Sequence, residues 1–116
     1  MKYLGAIDQG TTSTRFILFD EHGDIRASHQ IEHRQIFPNP GWVEHDPYEI
    51  WDNTTETIVK TLRAADAQAS DIAGVGITNQ RETVIAWNPK TGKVWYNASV
   101  IGDNHHLVAN FKIQLF

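Results

Sequence analysis

Two short apolar runs near the start of the chain bracket a polar, glycine-containing stretch, and no other feature limits the fold so strongly. Tyr3-Leu4-Gly5-Ala6-Ile7 and Phe16-Ile17-Leu18-Phe19 have the length of strands, not helices, and the first reads as a strand buried on both faces. The stretch between them, Asp8-Gln9-Gly10-Thr11-Thr12-Ser13-Thr14-Arg15, is too short for a parallel crossover, so the two strands lie antiparallel. Glu21-His22-Gly23-Asp24 forms the next turn, with Gly23 free to take positive φ. Ile25, Ala27, His29, Ile31 and His33 then alternate at the period of a half-exposed strand. The three strands make a meander.

Pro38-Asn39-Pro40-Gly41 breaks the pattern and opens a loop that carries Trp42 and His45. A helix starts after it: Asp46 suits the cap, Pro47 the first helical position, and Glu49 the capping-box position. Trp51, Thr55, Ile58, Leu62 and Ala65 give that helix an apolar stripe through about residue 67. Strands are expected at 72–77, 83–87 and 94–101, the last two joined by the hairpin-type loop Asn88-Pro89-Lys90-Thr91-Gly92. The order βββ-α-β-β-β is that of an α/β or α+β domain with a mixed sheet.

Composition narrows the function classes. The 116 residues suit one domain, and 10 Lys+Arg against 14 Asp+Glu give a formal charge of −4, which speaks against a general nucleic-acid binder. Cysteine is absent, which removes disulfide frameworks, thiolate zinc sites and cysteine nucleophiles. Apolar runs fall far short of a membrane span, and no secretory core follows the first residues, so a cytoplasmic chain is expected. The four tryptophans, Trp42, Trp51, Trp87 and Trp95, read most simply as core or sheet-packing residues. His29 and His33 would share a solvated strand face, and the adjacent His105 and His106 would diverge, so neither pair suggests a metal site.

Two segments could carry chemistry. Phosphate oxygens need many donors, close backbone approach and a counter-charge. Gly10 permits the approach, Thr11, Thr12 and Ser13 offer hydroxyls and N–H groups, and Arg15 offers a cation. Asp8, at the end of the first strand, could hold magnesium directly or through its waters. The plainer alternative is a polar hairpin loop. The second segment, Thr78-Asn79-Gln80-Arg81-Glu82-Thr83, mixes donors and acceptors as a small polyhydroxy ligand requires, or else is an exposed turn with an Arg–Glu pair.

Taken together with Pro40-Gly41-Trp42-Val43-Glu44-His45-Asp46-Pro47, these segments resemble the N-terminal portion of glycerol kinases in the FGGY carbohydrate kinase family. The resemblance runs from about residue 3 to about Val100. It implies the ribonuclease H-like, actin-type fold, with residues 1–100 a partial FGGY N-terminal domain. It also implies that Thr11, Thr12 and Ser13 meet the phosphates of ATP or ADP, that Arg15 contacts the nucleotide, and that Thr11 also approaches the phosphate of the product. Arg81 and Glu82 match the pair that binds glycerol hydroxyls, Arg81 as donor and Glu82 as acceptor. The implied reaction is magnesium- and ATP-dependent phosphorylation of glycerol to sn-glycerol 3-phosphate.

Residues 101–116 depart from the family's pattern: Ile101 stands where members carry a tryptophan that walls the glycerol, and Gly102 where they carry glutamine. Members run to several hundred residues in two domains around a cleft. Their adenine-binding domain and aspartate base therefore belong to a C-terminal portion beyond Phe116, and the isolated chain is expected not to turn over. A non-catalytic module that binds phosphate or polyol, and a truncated remnant without function, stay open as alternatives.

Overall fold

In the computed structural model, which describes residues 2–100 and the backbone of 114–115, the polar stretch after the first strand does fold the chain back on itself. Strand β1 (Tyr3–Gln9) pairs antiparallel with β2 (Ser13–Phe19), with Ile7 opposite Phe16 and Asp8 opposite Arg15. The Gly10 N–H closes the connection on the Ser13 carbonyl at 2.9 Å. Gly23, at φ 83, turns the chain into β3 (Ile25–Glu32). The Asp20 carboxylate braces that turn by accepting the N–H groups of His22 and Asp24 at 2.9 and 3.0 Å. These backbone bonds, the Asp24 one foremost, hold the Asp20 pKa below its ordinary value.

Helix α1 (Pro47–Ala64) begins as its sequence dictates, with the Asp46 side chain accepting the Tyr48 N–H at 2.9 Å. Glu49 does not close a capping box. Its carboxylate accepts the Arg34 N–H at 2.9 Å instead, tying the exit of β3 to the first turn of the helix. The expected stripe holds in its second half, at Ile58, Leu62 and Ala65, and fails in its first. Thr57 and Thr61 face the sheet, fully buried, while Trp51 is 66% exposed. Short threonines let the helix approach closely because their hydroxyls find carbonyls, Thr54 for Thr57 and Phe16 for Thr61. Tyr3, Phe16 and Leu18 form the core under Ile58, Leu62 and Ala65.

After a 3₁₀ turn (Ala69–Asp71), β5 (Ile72–Thr78) returns parallel to β1, giving a mixed sheet in the order β3-β2-β1-β5. Because α1 lies across β2 and β3, this end of the sheet is left uncovered. Leu4, Val75 and Ile77 are 55, 51 and 71% exposed, so β1 is not buried on both faces as its apolar run suggested.

The later strands form a separate small sheet, where one mixed sheet was expected. Its order is β4 (Val43–His45), β7 (Ala98–Val100), β6 (Thr83–Ile85), β8 (Gln114–Leu115). The expected strands at 83–87 and 94–101 shrink to three residues each, with one isolated bridge between Trp87 and Val94. β4, expected to be loop, is too short to show a period and is held by a partner far along the chain. Trp95, at 59% exposure, joins Trp51 outside the core. Apart from β8, the divergent segment 101–116, including His105 and His106, lies outside the described residues. Among the described residues no helix is long and apolar enough to cross a membrane.

Candidate functional site

Strand alternation sorts the polar residues of the first hairpin. Thr14, Phe16 and Leu18 point under α1, so Ser13 and Arg15 stand on the opposite face of the sheet, beside Asp8. Gln30, opposite Arg15 in β3, bridges the two: its amide donates to Ser13 Oγ at 2.6 Å and its Oε1 accepts Arg15 Nη2 at 3.0 Å. Ser13 Oγ thus accepts from Gln30 and keeps its own proton for another partner. Thr11 and Thr12 are exposed at the tip. The structure therefore brings Asp8, Ser13 and Arg15 to one face next to the Thr11-Thr12 tip. Nothing in the sequence singled out Gln30, whose role arises only from cross-strand register.

Asp8 is exposed at the C-terminal end of β1, where its carboxylate accepts the Thr78 hydroxyl at 3.0 Å from the matching end of β5. The carboxyl ends of neighbouring parallel strands are where open α/β sheets take ligands. Among the described residues no group of three or more His, Asp or Glu side chains could cage a metal. A single carboxylate flanked by hydroxyls suits magnesium, which keeps several waters and takes the rest of its ligands from phosphate.

The other segment leaves β5 and enters β6. Arg81 and Glu82 are exposed, and among the described residues they form no ion pair with each other. Glu82 sits at φ 52, a left-handed conformation uncommon outside glycine, asparagine and aspartate. The turn is braced from inside by Thr83, whose hydroxyl donates to the Arg81 carbonyl at 2.9 Å.

Behind both segments lies a buried polar cluster. His45, with no exposed surface, donates from Nε2 to Gln35 Oε1 at 2.7 Å and accepts Gln80 Nε2 on Nδ1 at 2.8 Å. Gln80 Nε2 also donates to Thr83 Oγ1 at 2.9 Å. Gln35 Nε2 reaches the Thr11 carbonyl at 3.0 Å, and His33 Nε2 reaches the same oxygen at 3.1 Å. The two imidazoles meet edge-on with centroids 4.4 Å apart. Burial, and then the neighbouring His33, drive the His45 pKa down to about 4; burial also lowers that of His33. His33 is therefore not on a solvated strand face. It follows the end of β3 and is 95% buried, its Nδ1 without a partner among the described residues. The buried Glu44 carboxylate is held separately, by the Tyr96 hydroxyl at 2.9 Å and Asn97 Nδ2 at 3.2 Å.

Comparisons with known proteins identify the family. Residues 3–113 match the N-terminal domain of the FGGY family of carbohydrate kinases. A glycerol kinase of Brucella anthropi is 61% identical over 85% of this chain and 20% of its own. Glycerol kinase 1 of Streptomyces coelicolor is 54% identical over 87% of this chain and 20% of its own. Among solved structures, Plasmodium falciparum glycerol kinase with ADP superposes at a TM-score of 0.76, with 40% identity over 86% of this chain and 20% of that one. A xylulose kinase from Lactobacillus acidophilus gives the same TM-score at 27% identity over 85% of this chain and 19% of that one. The chain thus spans about a fifth of the length of the relatives it matches.

Proposed function

The chain belongs to the FGGY family of carbohydrate kinases, and from that premise we propose that it is the N-terminal part of a kinase that phosphorylates glycerol. The transfer from ATP would give ADP and sn-glycerol 3-phosphate. The observation that carries the reading is the 54–61% identity to glycerol kinases over at least 85% of this chain. The geometry supports a division of labour within it.

Thr11, Thr12 and Ser13 supply N–H and hydroxyl donors to the nucleotide's phosphates, and Arg15, steadied by Gln30, supplies the counter-charge. Asp8 would hold magnesium, which when bound offsets phosphate charge. Arg81 donates to glycerol hydroxyls and Glu82 accepts from them. Catalysis in such transfers is mainly positioning and charge stabilisation, and these residues serve both. The adenine-binding surface and the aspartate base implied by the family resemblance are not among these residues, so the isolated chain binds without turning over.

The test is an NMR titration of the 15N-labelled chain with Mg·ADP and, separately, glycerol. Amides of residues 11–13 and 15 should move with nucleotide and those of 81 and 82 with glycerol. Thr11→Ala and Arg81→Ala should weaken the respective responses. A folded sample whose amides respond to neither ligand overturns the reading.

A further inference from the structure

The buried cluster has a direction. A carbonyl oxygen only accepts, so the bonds ending on Thr11 must be donated by Gln35 Nε2 and by His33 Nε2–H. Gln35 Oε1 then faces His45 Nε2–H, His45 Nδ1 is left as an acceptor, and Gln80 must present its amide nitrogen. Reversing any one member sets two donors or two acceptors against each other, which is unfavourable above all at the buried His45 and Gln80. The far side of Gln80 is fixed as well, its Oε1 facing Gln9 Nε2 at 3.4 Å while Gln9 Oε1 accepts the Thr14 hydroxyl at 2.6 Å.

A trans peptide places its C=O and N–H on opposite edges of one plane. Two donors pulling the Thr11 carbonyl inward therefore turn the Thr12 N–H away from the cluster. The His33 backbone N–H does the same to the next peptide by donating to the Thr12 carbonyl at 3.1 Å. At the other end, Gln80 precedes Arg81 directly and grips Thr83, so it brackets the Arg81-Glu82 turn and its left-handed Glu82.

We propose that His33, Gln35, His45 and Gln80 are positioning residues that orient the Thr12 N–H toward a phosphate and tie its placement to that of the Arg81-Glu82 turn. This rests on the proposed function for the identity of the ligands, and on hydrogen-bond direction for the rest. None of the four touches the ligand. They act through the Thr11-Thr12 peptide and the turn. The low His45 pKa agrees with the scheme, since a proton on Nδ1 would face the Gln80 amide donor.

The experiment uses the whole 15N-labelled chain, with inorganic phosphate and Mg·ADP as probes and four variants: Gln35→Met, Gln35→Glu, Gln80→Leu and Gln80→Glu. In the unaltered protein, ring 15N shifts should show His45 neutral with its proton on Nε2. Gln35→Met should weaken phosphate and Mg·ADP binding about tenfold, the worth of one hydrogen bond to a charged group. It should also move the Glu82 amide at the far end of the relay. Gln80→Leu should reciprocate by moving the Thr12 amide. Gln80→Glu draws a proton onto His45 Nδ1 but keeps Nε2–H on Gln35, so it should leave His45 cationic and restore the Thr12 amide position and phosphate affinity.

If Gln35→Met does not fold, Gln35→Glu serves in its place, keeping the bond to His45 while setting a carboxylate against the Thr11 carbonyl. A folded Gln35 variant with unchanged Thr12 and Glu82 amides overturns the proposal, as does a His45 ring protonated on Nδ1 at neutral pH. Failure of the unaltered chain to bind either probe would overturn the functional reading instead. The cross-relay amide shifts and the His45 tautomer would still decide the positioning.

Discussion

Protonation of His45 should make this chain lose stability as the pH falls from neutral toward 5. An unfolded imidazole titrates near 6.5, whereas in the fold His45 is held to about 4. A histidine with a depressed pKa stabilises the fold fully above the unfolded value and loses that contribution as pH falls toward the folded one. At pH 5.0 the unfolded group is almost fully charged and the folded one almost fully neutral. Linkage over the interval from 6.5 to 5.0 then removes about 2 kcal/mol relative to neutral pH. His33, lowered in the same direction, adds to the slope. Asp20 and Glu56, whose pKa values are also lowered, lose their contributions only near and below their ordinary 3.8 and 4.5. Urea titrations followed by tryptophan fluorescence at pH 7.5, 6.0 and 5.0 read the slope directly. His45→Gln removes the titrating ring, and it should flatten most of the loss while starting from a lower stability at pH 7.5. A wild-type stability independent of pH between 7.5 and 5.0, or a slope unchanged in His45→Gln, would refute the argument.

Other outcomes follow from particular contacts. A methyl added at Gly5 would stand 2.6 Å from the Phe16 ring, so Gly5→Ala should lower urea-measured stability by about 1–3 kcal/mol, the usual range for overpacking. Asp46→Ala removes the cap on the Tyr48 N–H and should lower stability by about 1 kcal/mol, with helical CD lost at lower urea. Arg15→Met should weaken Mg·ADP binding in calorimetry while leaving stability near that of wild type, because the guanidinium is exposed and, among the described residues, hydrogen-bonded to Gln30 alone. Glu82→Gly should abolish the glycerol response without destabilising the chain, since glycine takes a φ of 52 freely.

What the sequence disclosed and what it hid follow one division. The opening meander, the Asp46-Pro47 helix start and the strand at 72–77 depend on local pattern and turn chemistry, and each stood out in the residues concerned. The stripe on α1 was read in part: Ile58, Leu62 and Ala65 pack as expected, but Thr57 and Thr61 join them through hydroxyl bonds that hydrophobic periodicity does not count. β4 and the second sheet depend on pairings between distant residues, as does the burial of His33 and His45. The candidate ligand contacts, Thr11, Thr12, Ser13, Arg15, Arg81 and Glu82, came from the donors and charges these side chains carry and from the family resemblance. Gln30, Gln35 and Gln80 were not legible, because a glutamine's importance lies in what its amide meets across the fold.

The outermost strand of the first sheet also bears on how the molecule behaves in a tube. Parallel strands normally sit between two covered sides, yet Val75 and Ile77 meet water, and among the described residues the outer rim of β5 has no neighbour. Such a rim offers a ready ladder of amides and carbonyls to any extended chain that drifts alongside. Raising the concentration should therefore favour lateral sticking before the core itself gives way, and the first sign of stress would be turbidity, ahead of a clean melt.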